Sequence, residues 1–420
     1  YPDKRPVNLP RGGPWQYVET DWAALDATNE EFGGDWLVSK YIGEQLARKH
    51  DKPFFLACGI YRPHEPWFVP KKYFEPFPLE SIQIPPGYKE DDLDDLPLQG
   101  KRRGPNRYFA HIRKHMQWKQ GVQGYLASIH FADAMLGRVL DALEKGPNKD
   151  RTIVVLWSDH GWHLGEKQHW QKYTAWRVCT RVPLMIRVPK ETPGLKEGTK
   201  VGVVSDQPVN LLSLFPTLTE LAGLPDKKSN DGPSLVPLLK DSETSWDHVS
   251  ITHLSQPKSY GLSVKDWRYV HYANGEEELY DTVNDPYEWN NLAELPKYAG
   301  KLKELRAKAP KDFAPKKEAS IASWNALRWR SVTKTSAPPS KPDGGKFDVV
   351  FINRREKPVE VLWMSPKGKP LPYGMVAPGK TKRQQTRPGA VWRIDDVESK
   401  KELGHFVVGD RKSKAVIPVK

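Results

Sequence analysis

Two short, uninterrupted apolar runs constrain the fold of this chain more than any other feature of its sequence. They span residues 54–60 (FFLACGI) and 152–157 (TIVVLW), and polar breakers flank both. Runs of this kind are typical of strands buried on both faces. Between them, residues 125–145 carry apolar side chains at helical spacing, until Gly146-Pro147 ends the pattern. Strand, helix and strand in this order predict a parallel α/β sheet. The apolar positions of the helix are Ile129, Ala132, Leu136, Val139 and Leu143.

Composition shifts along the chain predict its domain organisation. Residues 1–200 form the predicted α/β core, and residues 201–310 form a small α+β subdomain, because short alternating segments there indicate an antiparallel sheet. Residues 311–342 are rich in Pro, Ser, Lys and Gly, which predicts a linker. Residues 343–420 alternate apolar strands with Pro-Gly and Lys-Gly turns, the pattern of a small all-β sandwich.

Charge and length exclude some classes of protein and leave others open. The 420 residues carry a net charge of +13, and residues 341–420 hold 18 basic against 9 acidic side chains. This balance favours an acidic partner, which could be nucleic acid, an anionic membrane or a sulfated polymer. No apolar run approaches the roughly 18 residues of a membrane helix, so we expect no membrane span. The two cysteines, Cys58 and Cys179, form neither a disulfide framework nor a metal-binding spacing, and whether they pair is left open.

Two loops that follow the predicted strands carry the residues best suited to chemistry. Asp159 and His160 directly follow the second apolar run, and Lys172 comes shortly after them. A carboxylate beside an imidazole suits a divalent cation, and a nearby ammonium suits a tetrahedral oxyanion. His64 lies between two prolines after the first run, where a stiff loop would hold a catalytic imidazole. The alternative is a tight turn with an aspartate cap, and spacing alone does not choose between the two.

The segments around these residues resemble the sulfatase family of the alkaline phosphatase superfamily, in particular its iduronate-2-sulfatase-like branch. The resemblance rests on SDHGWHLGEKQHWQK, on FFLACGIYRPHEPWFVPKKYF and on further segments in the expected order up to about residue 300. It implies an alkaline-phosphatase-like sulfatase domain over residues 1–310. It also implies that Asp159 and His160 are calcium ligands. Lys172 would contact the substrate sulfate, and His64 would protonate the leaving oxygen.

The same loop offers further candidate contacts. By the resemblance, His163 and Trp170 are possible substrate residues, because they flank the implied catalytic positions. Tryptophan stacks on sugar faces, although most tryptophans belong to the core. These two assignments therefore remain open between substrate contact and packing.

One hallmark of the family is missing from the printed sequence. The sulfatase nucleophile is a formylglycine, made from the Cys or Ser of a Cys/Ser-x-Pro-x-Arg motif, and two further metal-binding aspartates accompany it. The segment from Cys58 to Arg62 lacks the central proline, and Cys58 sits in an apolar run where a buried, inert thiol is expected. The chain starts at Tyr1 rather than Met. We therefore expect the amino-terminal part of the sulfatase domain, with the nucleophile, to lie upstream, and we expect this fragment alone to be inactive.

The carboxyl-terminal region has a resemblance of its own. FDVVFIN, VEVLWM and AVWRI, together with Pro-Tyr and Pro-Gly turns, resemble the β domain of the von Hippel-Lindau tumour suppressor. In that family the domain is a recognition module without catalytic residues. Here it could hold a polyanion or contact a protein, or it could be a basic, soluble appendage.

Taken with the resemblance, the sequence predicts a calcium-dependent hydrolase of sulfate esters on a sulfated sugar or polysaccharide. The family implies a secreted or periplasmic location. The alternatives are a phosphodiesterase or phosphatase of the same superfamily, and a non-catalytic protein that binds sulfated polysaccharide. Nucleic-acid binding is suggested by charge alone, without a supporting motif, and is not expected.

Overall fold

The computed structural model describes residues 6–10, 20–314, 321–332 and 336–419. The first two stretches belong to one compact unit, and the last two belong to a second. Within these stretches, no helix is both long and apolar enough to cross a membrane. Residues 315–320 and 333–335 of the predicted linker lie outside the described residues.

The first unit mixes helices with small sheets, as the sequence predicts. Strands β1 and β2 pair in parallel, whereas the pairs β3–β6 and β4–β5 and the sheet β10-β9-β8-β7 are antiparallel. The helices are α1 (Asn29–Phe32), α2 (Asp35–Leu46), α3 (Leu98–Lys101), α4 (Arg107–Lys114), α5 (Trp118–Lys145), α6 (Arg177–Thr180), α7 (Leu214–Leu221), α8 (Val236–Lys240) and α9 (Ala299–Ala307). The strands are β1 (Trp22–Leu25), β2 (Trp67–Pro70), β3 (Val154–Trp157), β4 (His163–Leu164), β5 (Trp170–Gln171), β6 (Leu184–Arg187), β7 (Ser250–His253), β8 (Tyr260–Val264), β9 (Trp267–His271) and β10 (Glu277–Asp281).

Helix α5 is the long helix that the periodicity predicts, and it begins seven residues earlier than the predicted segment. Its buried face, however, differs from the predicted one. Phe131 and Met135 are fully buried in a cluster that includes Val69 of β2, whereas Ile129 and Leu140 are exposed. Burying a side chain the size of Phe131 contributes roughly 2–3 kcal/mol. The buried face therefore follows the contacts with β2. Of the predicted positions, Leu143 is buried, Ala132, Leu136 and Val139 are half-buried, and Ile129 alone is exposed.

The strand predicted at residues 54–60 is absent. This segment has no strand partner among the described residues, and Phe55 is 81% exposed. The second apolar run does form β3, but β3 pairs antiparallel with β6. The two runs therefore do not form the predicted parallel sheet, because no described strand supplies the backbone partners that residues 54–60 would need. Cys58 is consequently exposed rather than buried, and both cysteines are free thiols.

The antiparallel sheet predicted between residues 250 and 281 is confirmed as β7 to β10. Its buried side chains, which include Leu262 and Tyr269, pack with Leu302 and Leu305 of α9. Alternation along these strands and the i, i+3 spacing in α9 account for this shared core. The sheet packs against the segment that follows β4. Two of its buried charged side chains, Arg268 and Glu278, form hydrogen bonds with that segment.

The second unit is a sandwich of two sheets, with strand orders β11-β19-β13-β16 and β12-β18-β17-β14-β15. Phe351, Trp392 and Phe406 fill its core from both sheets. Short strands at residues 325–331, in the predicted linker, join both sheets. The strands are β11 (Asn325–Ala326), β12 (Arg330–Ser331), β13 (Phe347–Asn353), β14 (Val359–Met364), β15 (Pro370–Val376), β16 (Thr381–Thr386), β17 (Val391–Asp396), β18 (Glu402–Val407) and β19 (Ser413–Ile417).

Candidate functional site

The loop after β3 presents Asp159 and His160 next to each other. The Asp159 side chain is 82% exposed, and its Oδ2 lies 3.4 Å from Nε2 of His160. The loop turns at Gly161, whose N–H donates to the Cys179 carbonyl at 2.7 Å. A Cβ atom at this glycine would lie 2.1 Å from the Val178 carbonyl oxygen. The close approach of the two backbones therefore requires glycine in the Asp-His-Gly turn.

Hydrogen bonds fix the tautomer of His160. Its Nδ1 lies 2.9 Å from the Gly161 carbonyl oxygen, which can only accept, so Nδ1 carries the proton. Its Nε2 lies 2.8 Å from Nζ of Lys172, so Nε2 accepts from the ammonium group. In this arrangement a nitrogen lone pair of His160 is directed towards Lys172.

Lys172 is held by an unusual stretch of backbone. Its neighbours Gln171 and Tyr173 have φ angles of 82° and 73°, in the left-handed region that non-glycine residues rarely adopt. Such strain persists only where the surroundings impose it, and it concentrates at functional sites. The Lys172 ammonium also lies 5.8 Å from the ring centres of Trp162 and Tyr173, within cation–π range. The backbone conformation and the two aromatic rings together fix the orientation of the Lys172 side chain.

His64 reaches the same place from the loop before β2. Its Nδ1 lies 2.6 Å from the Glu65 carbonyl oxygen and 2.8 Å from the Tyr61 hydroxyl. The carbonyl fixes the proton on Nδ1, which leaves Nε2 as the nitrogen for proton transfer. The ring centre of His64 lies 6.1 Å from that of Trp162, edge to face.

Trp162 is the point where these candidates converge. Its ring centre lies 6.3 Å from that of His160, in addition to its contacts with His64 and Lys172. The side chain is 8% exposed, and its Nε1 has no hydrogen-bond partner among the described residues. The structure thus brings the two predicted loops together around one indole ring. The roles assigned to His64, Asp159, His160 and Lys172 remain predictions.

A buried carboxylate that the sequence analysis missed joins the two loops. Glu65, 1% exposed, accepts from Nε1 of Trp170 at 2.8 Å and from Nε2 of Gln171 at 3.0 Å. It also accepts from the Thr20 hydroxyl at 3.0 Å. Because Glu65 follows His64 and Gln171 precedes Lys172, this carboxylate sets the spacing of the two candidates. A charged residue next to the buried segment Trp67–Pro70 was the only signal in the sequence.

His163 and Trp170, the possible substrate residues, lie inside the protein. Both are completely buried. His163 bonds Thr174 through Nε2 and the Glu166 carbonyl through Nδ1. Burial lowers the pKa of His163 well below its ordinary value and also lowers the pKa of His169. In this structure the two predicted residues brace the loop from inside, and their assignment as substrate residues remains a prediction.

Lys167 anchors the loop from beneath. Its buried ammonium donates to the Asp92 carboxylate at 2.6 Å and to the Glu288 carbonyl, and it faces the rings of Trp176 and Tyr280. Burial raises the pKa of Asp92 to about 7, although Lys167 opposes that shift. These partners come from distant parts of the sequence, so no local pattern could have predicted them.

Three of the four candidate residues open onto a large cleft. Asp159, His160 and Lys172 line a cavity of about 2310 Å³. Its walls also include apolar side chains that are unusually exposed, such as Met185 and Val203. Exposed apolar patches of this kind mark surfaces that another group covers.

The donor set fits one side of a calcium site. Calcium takes six to eight oxygen ligands, and Asp159 offers an exposed carboxylate beside the lone pair of His160. Throughout the described stretches, no group of three or more His, Cys, Asp or Glu side chains could hold a metal ion. Further oxygen ligands would have to come from elsewhere. The lone pair of His160 cannot serve Lys172 and a cation at once.

Comparisons with solved structures support the fold. A structure described as a complex with its substrate D-glucosamine-2-N,6-O-disulfate matches with a TM-score of 0.55 at 23% identity, over 65% of this chain and 68% of that one. The phosphonate monoester hydrolase of Agrobacterium radiobacter matches with a TM-score of 0.57 at 22% identity, over 70% and 64%. Both likenesses concern the alkaline-phosphatase-like fold alone.

Sequence comparisons reach further. A sulfatase of Formosa agariphila is 38% identical over 325 residues, which cover 75% of this chain and 62% of that protein. Mouse iduronate 2-sulfatase is 34% identical over 239 residues, covering 50% and 43%. The N-acetylglucosamine-6-O-sulfatase of Bacteroides thetaiotaomicron is 33% identical over 204 residues, covering 45% and 35%. The chain therefore spans less than two thirds of the length of these relatives.

Family models cover nearly the whole chain. The VHL beta domain model matches residues 343–407, which confirms the resemblance of the sandwich. The C-terminal model of N-sulphoglucosamine sulphohydrolase matches residues 165–312, and the sulfatase model matches residues 3–224, more than half of the chain. The chain therefore belongs to the sulfatase family and carries a VHL-like β domain at its carboxyl-terminal end.

Proposed function

We propose that this chain forms part of an enzyme that hydrolyses sulfate esters on a sulfated sugar or polysaccharide. The observation that carries the proposal is the convergence of His64, His160 and Lys172 on Trp162, with Asp159 beside them. These groups supply positive charge, a metal-binding edge and a proton-transfer group within one site. Relatives named as sulfatases of sugars support the substrate class.

Each side chain has a role that follows from its contacts. Lys172 would stabilise negative charge on the sulfate oxygens, because strained backbone and two aromatic rings fix its ammonium. In its imidazolium form, with protons on both ring nitrogens, His64 would donate the Nε2 proton to the leaving sugar oxygen, since the Nδ1 proton is committed to the Glu65 carbonyl. Asp159 would hold one side of a calcium ion, and His160 would join it once Lys172 turns from its Nε2 towards the sulfate. A bound calcium would neutralise sulfate charge, and a formylglycine hydroxyl would supply the attacking oxygen.

We propose that the nucleophile and the remaining calcium ligands lie on polypeptide outside residues 1–420. Two features support this step. The described residues offer only part of a metal site, and the wall of the cleft carries exposed apolar side chains such as Met185 and Val204. A further segment that covered this wall would bury apolar surface and bring ligands to Asp159. In the longer protein, secretion would follow from the family resemblance.

The experiment compares variants of the longer protein, produced with its upstream sequence, on 4-nitrocatechol sulfate. Lys172→Met and His64→Ala should each lower kcat by on the order of a hundredfold while calcium content stays near that of the wild type. Asp159→Asn should lower both calcium content and turnover. Lys149→Met is the matched control, because Lys149 belongs to an exposed ion pair with Glu144.

Three outcomes would contradict the proposal. Residues 1–420 alone should show no turnover, so measurable hydrolysis by this fragment would disprove an external nucleophile. Faster hydrolysis of 4-nitrophenyl phosphate than of the sulfate ester would favour the alternative of a phosphatase or phosphodiesterase, since a tetrahedral phosphate could use the same cation and lysine. Unchanged rates in both Lys172→Met and His64→Ala would remove the assigned roles.

A further inference from the structure

Tyr173, which directly follows Lys172, is an exposed aromatic residue of the candidate site. It is 75% exposed, whereas Trp162 and Trp170 of the same segment are buried. Its side chain lines the cleft beside Asp159 and Lys172. Among the described residues, its hydroxyl has no hydrogen-bond partner, and the cation–π contact with Lys172 is its one ring interaction. Tyr173 therefore contributes little to packing within this unit, although its side chain is large and mostly apolar.

The backbone holds Tyr173 in this exposed position. Its φ angle of 73° lies in the left-handed region, which is unfavourable for a residue with a Cβ atom. The residues on either side are fixed. The Lys172 carbonyl oxygen lies 3.1 Å from Nε2 of His169, and the hydroxyl of the buried Thr174 lies 2.6 Å from Nε2 of His163. Strained conformations persist where the surroundings impose them, and they cluster at ligand-binding sites. The strain therefore indicates that the outward position of Tyr173 serves binding rather than packing.

The Tyr173 ring lies next to the position proposed for the sulfate. The Lys172 ammonium is 5.8 Å from the centre of this ring, so a group esterified to a sulfate on Lys172 would lie within reach of the ring. The C–H groups on one face of a sugar ring form a flat apolar surface, against which an aromatic side chain can pack. An acyclic alcohol has no comparable surface. The position of Tyr173 therefore favours a cyclic sugar as the esterified group.

We propose that Tyr173 is a specificity-determining residue, whose ring packs against the apolar face of the sugar ring that carries the scissile sulfate. This inference rests on the proposed function and narrows its substrates to sulfate esters of cyclic sugars. The rival explanation is that further polypeptide covers Tyr173, as proposed for Met185 and Val204 on the wall of the cleft. Polypeptide over Tyr173 would also cover the adjacent Lys172, which has to stay open to the sulfate. This conflict favours the sugar.

Saturation-transfer difference NMR on the longer protein, produced with its upstream sequence, tests the proposal. D-glucosamine 6-sulfate is the cyclic ligand and isopropyl sulfate is the acyclic control, and every protein carries His64→Ala so that hydrolysis does not consume the ligands. Tyr173→Asn removes the ring but suits a left-handed backbone, so it should raise the Kd for the sugar roughly tenfold and leave the Kd for isopropyl sulfate unchanged. Tyr173→Phe keeps the ring and should bind both ligands normally. Tyr41→Asn is the matched control, because Tyr41 is an exposed tyrosine of α2 outside the cleft.

The two ligands separate this inference from the proposed function. If Tyr173→Asn weakens binding of both ligands equally, or of neither, or if the sugar does not bind at all, the inference is overturned. A lower midpoint of thermal unfolding in Tyr173→Asn, with unchanged sugar binding, would show that polypeptide covers the ring and would also overturn it. Lys172→Met should weaken binding of both ligands. If Lys172→Met weakens neither, the sulfate contact in the proposed function is wrong, whereas a loss of sugar binding alone in Tyr173→Asn would still support the ring contact.

Discussion

Removing the Glu65 carboxylate should loosen both candidate catalytic loops at once. Glu65 is the acceptor for Trp170 and Gln171 on one side and for Thr20 on the other, and it follows His64 directly. If this carboxylate sets the spacing between His64 and the Lys172 loop, its loss must act on both segments. A residue that only fills space would affect its own segment alone.

The magnitude follows from the three bonds. Glu65→Ala leaves the donors of Trp170 and Thr20 without this acceptor, whereas Nε2 of Gln171 keeps its 3.2 Å bond to the Thr20 hydroxyl oxygen. An unsatisfied buried donor costs about 1–3 kcal/mol. The Thr20 hydroxyl can rotate towards another partner, whereas the indole N–H cannot. We therefore expect Glu65→Ala to lower the free energy of local opening by about 4 kcal/mol. Glu65→Gln keeps one acceptor oxygen and should cost about 1–2 kcal/mol.

Hydrogen exchange followed by mass spectrometry measures this opening on the full chain. In Glu65→Ala, peptides covering residues 61–67 and 165–173 should exchange roughly a thousandfold faster, since 1.4 kcal/mol corresponds to a factor of ten. Glu80→Ala is the control, because Glu80 is exposed and its removal should change neither peptide. Faster exchange in only one of the two peptides, or in neither, would refute the idea that Glu65 joins the loops.

Three further predictions concern the same unit and its neighbour. Burial depresses the pKa of His163 below 6.5, so the opened segment binds a proton more readily than the folded one as the pH falls below that value. The free energy of opening of residues 163–174 should therefore drop by up to about 1.4 kcal/mol per pH unit below pH 6.5. A flat profile between pH 7.5 and 5 would contradict this. Gly161→Ala should lower the midpoint of thermal unfolding measured by calorimetry, since its Cβ would meet the Val178 carbonyl oxygen at 2.1 Å, and an unchanged midpoint would show that the turn can relax. Deleting residues 338–420 from the longer protein should leave hydrolysis of a small sulfated sugar unchanged but weaken binding to a sulfated polysaccharide, and lost hydrolysis would show that the sandwich helps to build the active site.

Local patterns predicted some of the regular elements of the chain. Helix α5, strand β3 and the sheet β7 to β10 follow from periodicity, because the spacing of their apolar residues is visible within a short stretch of sequence. Residues 54–60 show where this reasoning fails. Their apolar run matches a buried strand, but a strand also needs a neighbour with free backbone groups, and such pairing is not encoded locally. Strand β16 (TKRQQT) was missed for the opposite reason, since an edge strand needs little apolar character.

The same distinction applies to the candidate site: the residues of the local motif were predicted, and the residues that position them were not. Asp159, His160 and Lys172 lie within one motif, and the structure brings them close to one another. His64 contacts the same indole ring, that of Trp162, as His160 and Lys172 do. The residues that hold them, such as Glu65, contact partners up to about a hundred positions away along the chain. These partners meet only when the chain is folded, so no spacing in the sequence could have predicted the contacts.

The buried charges explain why the loop and the carboxyl-terminal subdomain belong to one structural module. Lys167 donates to the Glu288 carbonyl, and Nε1 of Trp176 donates to the Glu278 carboxylate at 2.8 Å. Arg268 of β9 donates through Nε to the Ala175 carbonyl at 3.0 Å. Each bond joins the segment around residues 167–176 to the sheet β7 to β10 or to the turns that follow it. The family model of the subdomain begins at residue 165, ahead of these contacts. Because a buried charge without its partner is costly, the loop that carries Lys172 cannot be ordered independently of that sheet.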